Sequence, residues 1–232
     1  MTRPEAASRR FLDLLPTELL RHLRVIETPL MQITPLPAPL DLSRVATVIF
    51  TSGEGVRVAS GKTIIRLPAL CVGERTTAAA NAAGWQAICA GETAADLVAR
   101  LTAEPPQGPI LHLHGEHTRG DVVGRLTAAC LLCTDQVIYR QTLLPLTDEA
   151  KQALRAQAPL LVPLFSPRTA AHFASLCPDA AHLTLIAMSE AVVEALPRLH
   201  CEALHVSKAP TASAMAEMLR DVAWPLVRVE DE

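Results

Sequence analysis

One phenol, a set of hydroxyls placed ahead of helical runs, and a few cations are the groups in this chain whose type and spacing could do chemistry. The phenol is Tyr139, in "QVIYRQT", the only tyrosine of a 232-residue chain in which aromatics make up 3%. The hydroxyls fall at predicted helix starts. "TRPE" at Thr2 and "TSGE" at Thr51 fit the capping box, with Thr at the N-cap and Glu three residues on. "SPRT" puts Ser166 at an N-cap and a proline at the first helical position. Ser189 precedes "EAVVEAL", and Thr211 follows Pro210 ahead of "ASAMAEML". "GERTT" from Gly73 and "GEHTRG" from Gly115 are the remaining junctions. A helix start offers unpaired N–H groups and a positive dipole end, both suited to an anion. Any one such cap can start a helix without a ligand. Their number, their repetition along the chain, and the cations Arg3, Arg75, Arg119, Arg168 and Lys208 nearby point to a small polyanion.

The elements that must position these groups alternate. "VATVIF", "LPALCVG", "PILHLHG", "LLVPLFS", "LTLIAMS" and "ALHVSKA" read as strands, and Ala-rich helical runs follow them. "ERTTAAANAAG" is predicted as a helix closed by Gly84, and "DQVIYRQTLLPL" as extended. This alternation argues for α/β folding with parallel sheets, whose strand-to-helix junctions share the carboxyl edge where ligands bind. "ITPLPAPLDL", Ile33 to Leu42, reads as a linker, because three prolines do not fit inside one central strand. An internal echo sets the domain count: "IFTSGEGVRVAS" resembles "LFSPRTAAHFAS", "VGERTTAAA" resembles "AMSEAVVEA", and the interval from Phe50 to Gly73 equals that from Phe165 to Met188. Two similar α/β domains follow.

Composition bounds the rest. Hydrophobic residues reach 50%, enough for a sizeable core, while charged residues are 19% and the net charge is −3. That balance is not the footprint of a nucleic-acid binder. "MTRPEAASRRF" has no apolar signal-like run, and no apolar stretch reaches the roughly 18 residues of a membrane span, so the chain reads as soluble and cytoplasmic. The six cysteines are expected mostly as buried free thiols. "CLLC", Cys130 to Cys133, is predicted late in a helix whose Val122, Leu126, Ala129 and Cys133 share a face, with no second ligand pair at zinc spacing. "ASGKT" falls short of a P-loop, since Val56 stands where its first glycine belongs. "HLHGEH" sets His112 and His114 on one strand face with no partner for a metal, so none is expected.

Taken in order, "TRPEAASRRF", "VIFTSGEGV", "CVGERTTAAANAAGW", "AGETAADLVARL", "HLHGEHTRGDVVGRL", "VIYRQT", "FSPRTAAHFA", "AMSEAVVEAL" and "KAPTASAMAEML" resemble the uroporphyrinogen-III synthase family over nearly the whole chain. The resemblance implies an α/β fold of two similar doubly wound parallel-sheet domains, joined by a two-stranded link with a cleft between them. One domain would be discontinuous, residues 1–36 plus 145–232, and the other, 37–144, inserted. The family usually opens on a short apolar strand, so the first strand here is expected to be clipped. "AMSEAV" stands where many relatives have an "AIG"-type turn, which leaves the part played by Ser189 open.

The implied reaction is cofactor-free. Hydroxymethylbilane, a linear tetrapyrrole polycarboxylate, loses water and closes with inversion of ring D. Tyr139 matches the family's tyrosine at the end of the strand returning from the inserted domain, where it would face the cleft and assist departure of the hydroxyl. A purely structural ring at a strand end is the other reading of that residue. Arg3, Thr51, Ser52, Thr76, Gly115, Ser166, Arg168, Ser189 and Pro210 fall on matching motifs and would bind acetate and propionate groups, largely through backbone N–H. No metal, nucleic acid or membrane partner is implied, and a monomer is expected. The alternative is a non-catalytic two-domain protein that binds a tetrapyrrole or another small polyanion.

Overall fold

The computed structural model describes residues 1–118, 120–156, 158–177, 180–197 and 200–230, so Arg119 lies outside the described residues. In chain order the elements begin with α1 (Glu5–Leu12), α2 (Thr17–His22), β1 (Met31–Pro35), β2 (Thr47–Phe50), α3 (Gly53–Lys62), β3 (Pro68–Val72) and α4 (Glu74–Ala82). They continue with β4 (Gln86–Gly91), α5 (Ala94–Ala103), β5 (Ile110–Gly115), α6 (Val122–Ala128), β6 (Cys133–Leu143) and α7 (Asp148–Arg155). The last are β7 (Leu160–Leu164), α8 (Pro167–Leu176), β8 (Ala180–Ala187), α9 (Glu190–Glu194), β9 (Cys201–Val206) and α10 (Ala212–Glu230). The chain divides into two compact units, Met1–Gln32 with Thr142–Glu232, and Ile33–Gln141, so the boundaries fall inside β1 and β6.

The inserted unit is built on a six-stranded sheet in the order β1-β6-β5-β2-β3-β4. Every pair from β6 to β4 in that order is parallel. A parallel sheet is covered on both faces, and β2 shows it: all four of its residues are buried. Val48 and Phe50 pack with Ala59, Ala80 and Trp85 on one side; Ile49 packs with Leu97 and Leu126 on the other. The Phe50 and Trp85 rings meet edge to face at 5.1 Å. From β2 the chain builds outward through β3 and β4 on one side and through β5 and β6 on the other. The β2/β5 junction is therefore the point where strand order reverses, the place where an open α/β sheet leaves a crevice at its carboxyl edge. α4 ends where Gly84 takes φ 87°: the Gly84 amide bonds to Asn81 O and that of Trp85 to Ala80 O, the Schellman pattern.

The other unit carries a three-stranded parallel sheet in chain order, β7-β8-β9. Its core joins Leu164, Leu185 and Ile186 of the sheet to Phe11, Phe173, Met215 and Leu219 of the helices. The units thus share element order but not strand number. No strand precedes α1 among the described residues; the Met1 and Thr2 carbonyls instead accept from the amides of Thr28 and Leu30.

Two sequence expectations give way here. Ile33–Pro35 finish β1 rather than opening a linker, because β1 is the edge strand and an edge tolerates proline. Lys62 Nζ then donates to the carbonyls of Leu36 and Ala38, tying the proline-rich segment to α3. "CLLC" is not helical. α6 stops at Ala128, Cys130 takes φ 62°, and the amides of Cys130 and Leu131 bond back to Thr127 and Leu126. Cys133 already belongs to β6, so only Val122 and Leu126 hold the expected helix face. Among the described residues no cysteine forms a disulfide, but Cys130 is exposed and only Cys71, Cys133 and Cys177 are buried.

Candidate functional site

The reversal point of the six-stranded sheet gathers polar groups around Tyr139. Helix α3 starts at Ser52, directly after β2, and Ser52 Oγ accepts from the Gly55 amide at 3.1 Å. The same oxygen lies 3.1 Å from the Tyr139 phenol oxygen. Gly115, the last residue of β5, lies directly against the ring. The approach demands glycine: a Cβ at Gly115 would stand 2.4 Å from Tyr139 Cε2. Tyr139 is 4% exposed, packed with Phe50, Val56 and Ile138, and β6 runs on past it to Leu143. It is therefore a buried ring within a strand rather than a ring at a strand's end. Burial pushes its pKa above the ordinary phenol value, with Glu54 adding to the effect and Ser52, Gly115 and Arg57 opposing it. The phenol thus keeps its proton and can donate it.

What aims the ring is a bulge. His114 pairs with Val137, but the next residue of β5, Gly115, pairs with Tyr139, leaving Ile138 as an extra residue in β6. Simple alternation would put Tyr139 on the face of Asp135, where His114 lies. The extra residue turns it to the α3 side, the re-aiming that bulges perform in sheets.

His112 and His114 do share a strand face, as the sequence suggests, and their rings stack at 4.5 Å. His112 Nε2 pairs with Thr51 Oγ1 at 3.2 Å. Burial first, and then the neighbouring His114, lower the His112 pKa to about 4 against the pull of Asp135, so His112 is neutral at pH 7. His114 faces Gly115 O through Nδ1 at 2.6 Å and Asp135 Oδ2 through Nε2 at 3.0 Å. Asp135 was not among the sequence candidates. The only signal for it was its place on the strand beside "HLH".

The remaining candidates sort by unit. Thr51 is not an N-cap, because the helix begins one residue later and Ser52 takes that part. Thr2 is not one either: it is buried and donates to Pro163 O at 2.7 Å, while Pro4 occupies the N-cap of α1. Thr76 is buried in the first turn of α4, with its amide bonded to Gly73 O. At the carboxyl edge of the three-stranded sheet, Ser166 caps α8, accepting from the Thr169 amide at 3.2 Å. Arg168 follows within that first turn. The Arg3 guanidinium lies 4.5 Å over the Phe165 ring, beside Ser166. Ser189 stands at the N-cap of α9 without a side-chain cap bond, and Pro210 is exposed between β9 and α10. Strand register aligns Leu164, Ala187 and Val206, so these three junctions share one edge. The structure brings Ser52, Gly115 and Tyr139 into contact in one unit and sets Arg3, Ser166, Arg168, Ser189 and Pro210 along one sheet edge in the other.

Two other features carry no comparable chemistry. Among the described residues, Glu74, Cys89 and Glu92 lie close enough to offer metal ligands, but none of them is buried. A cavity of about 640 Å³ beside β7 is lined mostly by apolar side chains, Leu15, Leu23, Ile26, Leu161, Val162 and Phe173 among them.

Parallel sheets whose strand-to-helix junctions line up along their carboxyl edges define an open-sheet α/β protein. The sequence model of the family described as uroporphyrinogen-III synthase HemD matches residues 20–217, and the chain belongs to the uroporphyrinogen-III synthase family. Membership makes it an enzyme of the lyase-type cyclase kind. Solved structures agree on the fold. The uroporphyrinogen-III synthetase of Helicobacter pylori superposes with a TM-score of 0.61 at 16% identity, covering 86% of this chain and 95% of that one. A mutant uroporphyrinogen III synthase of the extremely thermophilic bacterium Thermus thermophilus superposes at 0.53 and 15%, covering 94% and 96%. No curated protein matches the chain. Among the described residues no helix is long and apolar enough to cross a membrane.

Proposed function

We propose that this chain converts hydroxymethylbilane to uroporphyrinogen III without a metal or cofactor, as a monomer in the cytoplasm. The observation that carries the reading is the chain's only tyrosine, buried and protonated at the sheet's reversal point, with the Ser52 hydroxyl beside its oxygen. Tyr139 donates its proton to the terminal hydroxyl of the substrate. The carbon–oxygen bond breaks, its electron pair leaves with water, and the adjoining pyrrole nitrogen spreads the positive charge left on carbon. The Ser52 hydroxyl, 3.1 Å from the phenol oxygen, holds the phenolate formed, which is electrostatic stabilisation prepared before the step begins. Ring D then attacks through its substituted carbon to give a spiro intermediate. Reorganisation inverts the ring, and loss of a proton, which can return to the phenolate, restores aromaticity.

Ser166, Arg168, Ser189, Arg3 and Pro210 at one carboxyl edge, and Thr51, Ser52, Thr76 and Gly115 at the other, take the acetate and propionate groups. Holding the chain so that the substituted carbon of ring D is the one presented is an orientation effect, and orientation can supply several kcal/mol of the barrier, about 7 at the low end of the intramolecular range. The test supplies hydroxymethylbilane and identifies the ring isomer. Unassisted closure gives type I. Accumulation of type III supports the reading. Binding of the substrate with only type I appearing would leave the non-catalytic carrier in its place.

A further inference from the structure

We propose that His114 is a positioning residue for Tyr139: by bridging the Asp135 carboxylate and the Gly115 carbonyl it fixes the bulge that delivers the phenol to Ser52. The catalytic part of this inference rests on the function proposed above; the positioning part does not.

A bulge leaves one residue of its strand unpaired and the ladder locally open, so something must hold it in one form. Here the extra residue is Ile138, directly before Tyr139. The His114 ring spans the two strands at that point. Both ring nitrogens face oxygens, Nδ1 the Gly115 carbonyl oxygen at 2.6 Å and Nε2 the Asp135 Oδ2 at 3.0 Å. The peptide joining Gly115 to Glu116 is gripped at both ends. Its carbonyl oxygen sits against His114 Nδ1, and its N–H, that of Glu116, donates to the Tyr139 carbonyl at 3.0 Å. Rotating that plane breaks the His114 bond and the Tyr139 bond together. Gly115 itself is the residue the ring lies against.

The clamp is well supported. His114 is buried and stacks on His112, which is tied to Thr51 at 3.2 Å. Only the Asp135 end reaches the surface, with 47% of that side chain exposed. The groups facing the His114 ring are thus Asp135 from β6, His112 from its own strand, and the Gly115 carbonyl. None of them is the phenol, so His114 acts on the reaction through the backbone and not by contact.

Because the chain has a single tyrosine, its phenol can be followed with no background. Its titration is read from ultraviolet absorbance and from the ζ-carbon resonance of labelled tyrosine, with circular dichroism on the same samples. His114→Asn should move the titration down towards the ordinary phenol range and lower kcat for type III formation by between about 10- and 100-fold, with KM changed little. In a Tyr139→Phe background the same change should cost nothing further, as expected for groups acting through one another. Ile110→Val, a core change on the same strand, should lower Tm and leave the phenol titration in place. Should His114→Asn fail to fold, Asp135→Asn, at the exposed end of the clamp, should give the same shift in smaller measure. A phenol titration in folded variants that coincides with wild type overturns the inference. A shifted titration with full type III activity upholds the positioning and removes Tyr139 from the chemistry.

Discussion

Tyr139→Phe removes one oxygen from a site whose other parts stay in place. The ring keeps its packing against Phe50 and Val56 and its close contact with Gly115. Ser52 Oγ loses its phenol partner but keeps the Gly55 amide, and Ser52 is half-buried, so water can replace the lost bond. The stability change should therefore be about 1 kcal/mol or less. The rate should fall further. General acid assistance contributes about 10² to 10⁴, and a loss at or below the low end is expected, because a pyrrole nitrogen already stabilises the cation that remains. Orientation of ring D does not depend on the hydroxyl, so the residual product should still be type III. Single changes at the helix starts, Thr76→Ala, Ser166→Ala and Ser189→Ala, should cost less, since they leave the backbone donors in place. The assay separates the type I and type III isomers chromatographically over time for all four variants, with circular dichroism to confirm folding. If Tyr139→Phe matches wild type while one of the others is inactive, the tyrosine is structural and the acid has been misassigned.

Three further outcomes follow from the geometry. Gly115→Ala brings a Cβ to 2.4 Å from the Tyr139 ring, so ring or strand must shift; calorimetry should show a loss of about 1–3 kcal/mol, and an unchanged Tm would mean the contact is looser than described. His112 is held at about 4 against an unfolded 6.5, so the unfolded chain takes the proton first; the stability it contributes is full above about pH 6.5 and is lost as pH falls to about 4. Tm measured across that window should drop in wild type and drop less in His112→Gln, and equal slopes would refute the assignment. Cys130 is exposed, while burial pushes the Cys71 and Cys133 thiols up to about 11, so a disulfide reagent should meet Cys130 first, and Cys130→Ser should remove the earliest phase of the reaction.

The alternation of strand and helix was legible because it is local: apolar runs, caps and a stop such as Gly84 are written in consecutive residues. Ser166 with its proline belongs to the same class. Thr51 shows the limit. "TSGE" satisfies the capping-box pattern at Thr51, yet Ser52 wins the N-cap, because the extended residues that end β2 carry the chain one residue further before it coils. Cys130 shows another. Its helix could have continued on propensity alone, but β6 must be extended from Cys133 to pair with β5, and the chain turns through a left-handed residue to get there. The part of the candidate site least visible in the sequence is the bulge at Ile138, because it is a property of two strands' register and not of either one. "HLH" announced two histidines on one face, but not that Asp135 and a peptide carbonyl would occupy the second of them.

The split of one unit around the other has a consequence for how the protein is made. Residues Met1–Gln32 leave the ribosome ahead of the inserted unit and can finish their own unit only when Thr142 onward has followed. The bonds that join the two pieces, from Leu144 N to Leu30 O and from Thr147 N to Thr28 Oγ1, wait for that moment. Closing the intervening Ile33–Gln141 as a loose loop would cost on the order of 4 kcal/mol in chain entropy. Once the inserted unit has folded, β1 and β6 lie side by side in its sheet, and the two ends of the loop emerge already together. The later-completed unit therefore inherits its closure from the earlier one. Damage confined to the six-stranded sheet should accordingly be felt as slow or incomplete assembly of the other half in the nascent chain.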